Sequence, residues 1–436
     1  MRNKPGNTKQ CPEDDSQIQN TMKINGRAYT GTEIPVSVTL GPVLDQVPLG
    51  LSLIPQYSHQ SSELLGYYLT RTANSMGNAS TDINPFVSKL IPLAFDNPLI
   101  MQLILAQSAA HRKEELQDDS AGAIAQQYYT KSLRLFSQEI DAHVDESQGG
   151  TLVLSFGSLI MSLTEIARGE INGTVFDHLG AAGLLVSKFV SNAQHDAYDS
   201  LFDFLIEYYT HMTATSMLSI DVQYGSQPFF NPSIGQAAET LVTKSYIGQM
   251  CGAWLELLLL IPKIFQLGQS MMKKPTPHDT IITFGCYQSQ IQAFYPSSSA
   301  SGSAITAGLV FKQAVLLYLW TILGNPLKPS AGDAFAKLIR GAVNEAFTQL
   351  DRLSTTERVN TSLCWPITII GCCTADSAIR SQLRERLQIM SRTIGLGNIK
   401  RTLSLLECVW KGDPENLSPW TLHSSMQEQQ IWVSLA

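Results

Sequence analysis

"DNPLIMQLILAQSAAHRKEEL", residues 96–116, is the stretch that decides the fold class of this chain. Asn97 can cap a helix, and Pro98 fits the first helical turn because no amide hydrogen is needed there. Leu99 and Leu103 then begin an apolar row that recurs at helical spacing. The stretch therefore predicts a strong α-helix with an apolar face.

The same periodicity continues on both sides of this helix. Upstream, Leu64, Leu65 and Tyr68 share one face, and either Ser61 or Ser62 is the expected N-cap. Downstream, helices are predicted over 121–140, 151–168, 174–190, 198–219, 245–267, 280–294, 303–323, 333–353, 376–393 and 398–410. No segment alternates β-branched and polar residues between hairpin turns, so a sheet is not expected. The predicted fold is all-α: a large irregular bundle of antiparallel helices in one or two packed sub-bundles.

Three regions are predicted along the chain. Residues 1–60 are rich in Pro, Gly, Ser, Asn and Gln without a sustained period, which is typical of a disordered or irregular arm. Residues 61–420 form the helical domain. Residues 421–436 are expected to be a C-terminal tail.

Composition excludes several classes of protein. The 436 residues are 44% hydrophobic and 15% charged, with a formal net charge of -7, so the chain lacks a general attraction to DNA or anionic lipid. Residues 1–30 contain no apolar core of a signal peptide, and the seven cysteines are expected to be reduced thiols. Residues 303–324 approach a membrane span in length, but Lys312 lies at their centre, where a charge costs about 3 kcal/mol. A buried helix and no membrane contact are predicted.

The segment "CWPITIIGCC", residues 364–373, holds three cysteines and raises the question of a metal or redox site. Zinc sites favour cysteine pairs two to four residues apart, whereas these gaps are eight and one. Adjacent cysteines on a helix point about 100° apart, so Cys372 and Cys373 are poorly placed to share an ion. A helix beginning at Trp365-Pro366, with the cysteines as small core residues, is the preferred interpretation.

The histidines and the remaining polar motifs give little indication of a catalytic or ligand-binding site. His111 is expected to place a positive charge at a helix C-terminus, and His178 is expected to be a hydrogen-bonded core histidine. "GLGNIK", residues 395–400, has part of a phosphate-loop pattern but lacks the preceding strand, so a helix stop and restart is favoured. We therefore predict no catalytic, cofactor-binding or metal-binding residues, and no cofactor.

Several motifs occur together in an order that carries a family resemblance. They are "LLGYYLTRTANSMG" at 64–77, "NPFVSKLIPLAFDNPLIMQLILAQSAAHR" at 84–112, "QYYTKSLRLF" at 127–136, "FDHLGAAGLLV" at 176–186, "CWPITIIGCCTADSAIRSQLRERL" at 364–387 and "LLECVWKGDPENLSPW" at 405–420. The chain resembles the fungal-specific transcription factor domain, in its branch of acriflavine-sensitivity-type regulators. The resemblance implies that 61–420 is a regulatory domain and that Trp365 is a buried anchor. It makes Arg380 a candidate for bonding carbonyls or a carboxylate inside the bundle, and a surface role is the alternative.

One departure from the family pattern concerns DNA binding. The family's binuclear zinc cluster needs six closely spaced cysteines in a basic segment, whereas Cys11 stands alone before Cys251. The chain is thus expected to lack its own zinc-cluster module. A lost module, a missed exon and action through a partner are all compatible with this pattern.

The expected function is that of a nuclear transcriptional regulator or co-regulator of a fungal specialised-metabolite gene cluster. Its implied partners are proteins, in a homodimer or a heterodimer with a DNA-binding regulator, together with a small-molecule effector; DNA contact would be indirect or through the missing module. A metabolite-modifying enzyme and a non-transcriptional scaffold are the alternatives. Helical synthases need an aspartate-rich metal motif, which "DDS" at 118–120 does not supply.

Overall fold

A computed structural model of the chain describes residues 23–24, 27–28, 58–117, 119–142, 148–192, 199–220, 231–273, 278–323, 333–412 and 417–436. The chain divides into two units, Met1–Leu49 and Gly50–Ala436. In the first unit, strands β1 (Lys23–Ile24) and β2 (Arg27–Ala28) pair antiparallel. Apart from these strands and residues 58–60, the predicted arm of residues 1–60 lies outside the described residues.

The described residues of the second unit are almost entirely helical, which confirms the all-α prediction. The α-helices are α1 (His59–Tyr67), α2 (Ala73–Met76), α3 (Pro85–Ser88), α4 (Leu90–Asp96), α5 (Pro98–Leu116), α6 (Asp119–Ala142), α7 (Gln148–Arg168), α8 (Thr174–Asn192), α9 (Asp199–Ser216), α10 (Pro232–Thr243), α11 (Leu255–Lys273), α12 (His278–Ala293), α13 (Gly302–Trp320), α14 (Asp333–Asp351), α15 (Cys364–Cys372), α16 (Ser377–Thr393), α17 (Gly397–Lys411) and α18 (Pro419–Gln429). A π-helical turn, Tyr68–Thr72, joins α1 to α2, and 3₁₀ turns follow α9 and α13 and precede α15.

Helix α5 is the central element of the first half of the bundle. The Asn97 side chain accepts hydrogen bonds from the Leu99 and Ile100 amides at 2.9 and 3.2 Å, as the sequence predicted. The helix packs against α1, α4, α6 and α7, and every residue from Leu99 to His111 is buried. A helix buried on all sides belongs to the core of a large protein, so α5 has more than the one apolar face predicted for it.

The two halves of the bundle share one core. Helix α7 packs along α8, and α13 packs against α11, α12, α14 and α15. Helix α17 contacts α15 and α16 on one side and α7 on the other, which joins the halves. Buried apolar residues run through the whole of this arrangement without a break.

Two described helices are long and apolar enough to cross a membrane by composition alone. Gly149–Arg168 is 94% buried within the protein and Gly302–Leu323 is 67% buried, as expected of core helices. The Lys312 ammonium donates to the Gln292 and Phe294 carbonyls at 2.7 and 2.8 Å, at the end of α12. This confirms the prediction of a buried helix at 303–323.

Some predicted boundaries are wrong. Ser58, rather than Ser61 or Ser62, caps α1, because its hydroxyl accepts from the Ser61 amide at 3.2 Å. The helix predicted over 245–267 begins at Leu255, after a turn in which Gly248 donates its amide hydrogen to Gly252. Helices α3, α4, α10 and α18 were not predicted, and residue 420, where the predicted helical domain ends, lies inside α18.

The close approach of α7 and α17 gives a testable glycine requirement. A Cβ at Gly397 would lie 2.5 Å from the Gly169 amide nitrogen and 2.8 Å from the Ala167 carbonyl oxygen, both backbone atoms. We expect Gly397→Ala to lower the free energy of unfolding by about 2 kcal/mol. Gly341→Ala in α14, where a Cβ meets nothing within 4 Å, is the matched control and should raise it by about 0.5 kcal/mol. Urea denaturation measures both, and equal effects would contradict the prediction.

Candidate functional site: the cavity between α17 and α18

The cysteine-rich segment forms α15, which packs at the centre of the second half. Trp365 is fully buried, stacked on Phe311 with ring centres 6.2 Å apart and edge-on to Tyr318 at 5.6 Å. The prediction of a helix with Trp365 as its buried anchor is confirmed.

The three thiols of this segment are buried core groups. Burial raises the pKa of Cys364 and of Cys372 to about 12 and shifts the pKa of Cys373 upward as well. The neutral thiol is therefore favoured, whereas metal ligation and redox attack require the thiolate. Within the described residues, no three His, Cys, Asp or Glu side chains are grouped so that they could hold a metal ion.

Arg380 bonds two backbone carbonyls from a half-buried position, which agrees with the bonding role that the family resemblance implied. Its Nε–H donates to the Thr374 carbonyl at 3.0 Å, and a terminal nitrogen donates to the Trp410 carbonyl at 3.3 Å. The guanidinium also lies 5.8 Å from the centre of the Trp410 ring. Arg380 therefore ties the start of α16 to the end of α17.

The predicted role of His111 is wrong. The residue is fully buried, with Nε2 2.8 Å from the Ile394 carbonyl and Nδ1 3.1 Å from the Thr72 hydroxyl. Burial lowers its pKa, so a neutral ring donating from Nε2 replaces the expected charge at a helix end. The helix also continues past it, to Leu116.

One other prediction from polar motifs is confirmed, and the prediction of a hydrogen-bonded core histidine at His178 is right about the hydrogen bond but not about core burial. The Nε2 atom of His178 lies 3.1 Å from the Tyr129 hydroxyl in a half-buried position, and burial lowers the histidine's pKa. In the "GLGNIK" segment, α16 ends at Thr393, Gly395 takes a φ of 82°, and α17 begins at Gly397. This is the expected helix stop and restart.

Buried histidines predict how stability depends on pH. Burial lowers the pKa of His211 to about 4 from an ordinary 6.5, and it lowers those of His111, His178 and His423 in the same direction. Between pH 6.5 and 4 the unfolded chain therefore binds a proton that folded His211 does not, so stability is lost as the pH falls through this window. The His211 contribution reaches about 3 kcal/mol at the acid end.

Urea denaturation of the wild type and of His211→Phe at several pH values measures this contribution. We expect the variant to lose a smaller part of its free energy of unfolding between pH 6.5 and 4. His59→Phe is the control, because the His59 side chain is 91% exposed. Parallel pH profiles for the wild type and His211→Phe would contradict the prediction.

A buried carboxylate that the sequence analysis missed organises the turn before α11. Glu207 of α9 is fully buried; its carboxylate accepts from the Tyr246 hydroxyl at 2.7 Å and from the Met250 and Cys251 amides at 2.6 and 3.0 Å. All three donors belong to the protein itself. The carboxylate therefore stabilises the turn, and we assign it a structural role.

The same turn connects segments that are far apart in sequence. The Asn78 amide donates to the Gln249 carbonyl at 2.7 Å, and the Asn78 side chain donates to the Met250 carbonyl and the Ser362 hydroxyl, each at 3.2 Å. The Ser362 hydroxyl also donates to the Met250 carbonyl at 3.1 Å. Asn78, the turn and the residues before α15 thus form one buried polar network.

A cavity with a mostly apolar lining lies between α17 and α18. It is half open to solvent, has a volume of about 290 Å³, and is lined in part by Ile171, Ile431 and Val433. Its two long walls are the facing sides of the helices: Arg401, Ser404, Leu405, Cys408 and Val409 from α17, and Thr421, Leu422, Ser425, Met426 and Gln429 from α18. A 500 Å³ hollow between α1, α5 and α6 is larger, but more than half of its lining residues are polar.

The charge in this cavity is at one end. Among the described residues that line it, Arg401 alone is charged, and it stands in the first turns of α17. Its Nε–H donates to the Gly169 carbonyl at 3.2 Å, which orients the exposed guanidinium. A mostly apolar cavity with a fixed cation is the usual composition of a small-molecule site. The site is not evident from the sequence because α18, which forms one of its walls, is not predicted.

Comparison with known proteins gives one match. A sequence model described as "Fungal specific transcription factor domain" matches residues 63–436. No curated protein and no solved structure matches the chain significantly. The matched region includes every helix from α2 to α18 and most of α1.

Proposed function

Because this chain belongs to the fungal-specific transcription factor domain family, a family of transcription regulators, we propose that it is a nuclear regulator of a specialised-metabolite gene cluster. The observation that carries the proposal is the family match, which runs through the whole helical unit from residue 63 to residue 436. Cluster control and nuclear location are parts of the proposal that go beyond this match.

DNA contact is proposed to come from a protein partner. Cys11 stands alone before Cys251, so these 436 residues do not contain the six clustered cysteines of a binuclear zinc module. A heterodimer with a DNA-binding regulator, or a homodimer that itself associates with one, would bring the helical unit to a promoter. The acidic balance of the chain, with a net charge of -7, is consistent with indirect recruitment.

A small-molecule effector is proposed to bind the cavity between α17 and α18. The position suits regulation, because α17 contacts both halves of the bundle and a ligand against it could bias how they pack. The fully bonded Glu207 carboxylate and the buried thiols of α15 favour a regulatory role over the enzyme alternative.

Two measurements test the proposed function. Deleting the gene should change transcript levels of neighbouring biosynthetic genes, and tethering the chain to a heterologous DNA-binding domain should change expression of a reporter. Gly341→Ala serves as the fold-neutral control in both assays. Unchanged neighbouring transcripts together with a silent tethered chain would refute the proposal and favour the scaffold.

A further inference from the structure

The cavity between α17 and α18 is elongated along α17. Its lining positions on that helix run from Arg401 to Val409, eight residues apart, which is about 12 Å of helix. The α18 wall runs from Thr421 to Gln429 with the same spacing of three and four residues. The two facing helix stripes of equal length form an elongated channel that is half open to solvent, and a linear molecule can lie along it.

The volume limits the size of an occupant. At about 30 Å³ for each water-sized group, a cavity of 290 Å³ holds about ten non-hydrogen atoms. An α-helix is about 10 Å across with its side chains, so it is too wide to be contained in this volume. The space thus suits a small chain-like molecule and does not suit a peptide helix.

The apolar and charged side chains are placed along the channel so that an amphipathic molecule would bind in one orientation. Leu405, Val409, Leu422 and Met426 supply apolar walls, whereas the guanidinium of Arg401 lies at the end nearest the α17 N-terminus. A guanidinium whose Nε–H is already bonded to a backbone carbonyl still presents terminal N–H groups, and these match the oxygens of a carboxylate.

We propose that this channel binds an amphipathic carboxylate, with a linear apolar chain between the helices and its carboxylate on Arg401. This proposal names the chemical class of the effector in the proposed function. Only the regulatory consequence of binding depends on that proposed function. The binding itself follows from the channel's shape, volume and charge.

Isothermal titration of the purified full-length protein with octanoate, 1-octanol and octylamine tests the proposal. These probes share a chain length and differ in head group, and octanoate has ten non-hydrogen atoms. Octanoate should bind at least about tenfold more tightly than octanol, because a charge-assisted hydrogen bond adds to the apolar contact, and octylamine should bind most weakly.

Two pairs of variants locate the binding. Arg401→Gln should weaken octanoate about tenfold and leave octanol unchanged, whereas Arg392→Gln should change neither. Arg392 is the matched control because it is exposed and its Nε–H also donates to a carbonyl, that of Gln388, at 3.3 Å. Ser425→Trp fills the channel and should abolish binding of both probes; its exposed neighbour Ser424, outside the lining, gives the control Ser424→Trp.

Three results would overturn the proposal: equal affinities for the three probes, an equal loss in Arg392→Gln, or unaltered octanoate binding in Ser425→Trp. If Arg401→Gln does not fold, the wild-type probe series and the serine pair still decide the outcome. The titration is independent of gene expression. Absent binding with an active tethered reporter would refute the ligand class alone, whereas binding with a silent reporter and unchanged transcripts would refute the regulatory role alone.

Discussion

Replacing Glu207 with alanine is expected to lower the free energy of unfolding by about 4 kcal/mol. The carboxylate accepts three hydrogen bonds at 2.6 to 3.0 Å, from two buried amides and from the hydroxyl of the half-buried Tyr246. Removing it leaves the Met250 and Cys251 amides and the Tyr246 hydroxyl without an acceptor in the core, where each unpaired group costs about 1–3 kcal/mol.

The loss should extend beyond this one turn. Residues 245–254 also accept from Asn78 and Ser362, so loosening the turn weakens three segments at once. Chemical denaturation of the Glu207→Ala variant measures the change. Glu239→Ala is the control, since that carboxylate is 61% exposed and its ion pair with Lys263 should contribute less than about 1 kcal/mol. Similar losses in the two variants would contradict this account.

Replacing Trp365 with alanine is expected to cost about 4 kcal/mol of unfolding free energy. The indole is fully buried between Phe311 and Tyr318, so its removal leaves a cavity that rigid helices on both sides cannot fill. Thermal and urea unfolding measure the loss, and Tyr295→Ala, at a ring that is 73% exposed, is the control.

A second substitution at the same position separates packing from hydrogen bonding. The Trp365 Nε1–H is buried without an acceptor among the described residues. Trp365→Phe keeps much of the aromatic contact and removes this unpaired donor, so it should cost only about 1 kcal/mol. If phenylalanine costs as much as alanine, the stacking arrangement is not the source of the stability.

Helix starts in this chain show how far its sequence predicts its structure. Asn97-Pro98 was recognised as a cap followed by a first-turn proline, and α5 begins there. The same signal occurs at Asn231-Pro232 and Ser418-Pro419, where α10 and α18 begin with the cap side chain accepting an amide. No helix is predicted over 232–243, and residues 421–436 are predicted to be a tail, so the cap-proline signal was not used at these two places.

The candidate site and the polar network could not be predicted in the same way. Residues 245–254 have helical composition, but Gly252 takes a φ of 49° and Glu207, about forty residues away, satisfies the turn's amides. The charged residues that follow His111 in the sequence are typical of a helix end. Its buried position, however, depends on Ile394, which is nearly three hundred residues distant. Packing between distant segments decided these positions, and periodicity carries no information about such contacts.

The division of the thiols into exposed and buried groups allows the rate of unfolding to be measured on the chain itself. Cys286 and Cys408 are exposed, whereas Cys364, Cys372 and Cys373 are buried in or next to α15. In the experiment Cys11, which lies outside the described residues, is replaced by serine. A pulse of alkylating reagent should then modify Cys286 and Cys408 at once. It should modify the three buried thiols only when the second half of the bundle opens. Mass spectrometry of the labelled peptides would then give an opening rate without any introduced probe.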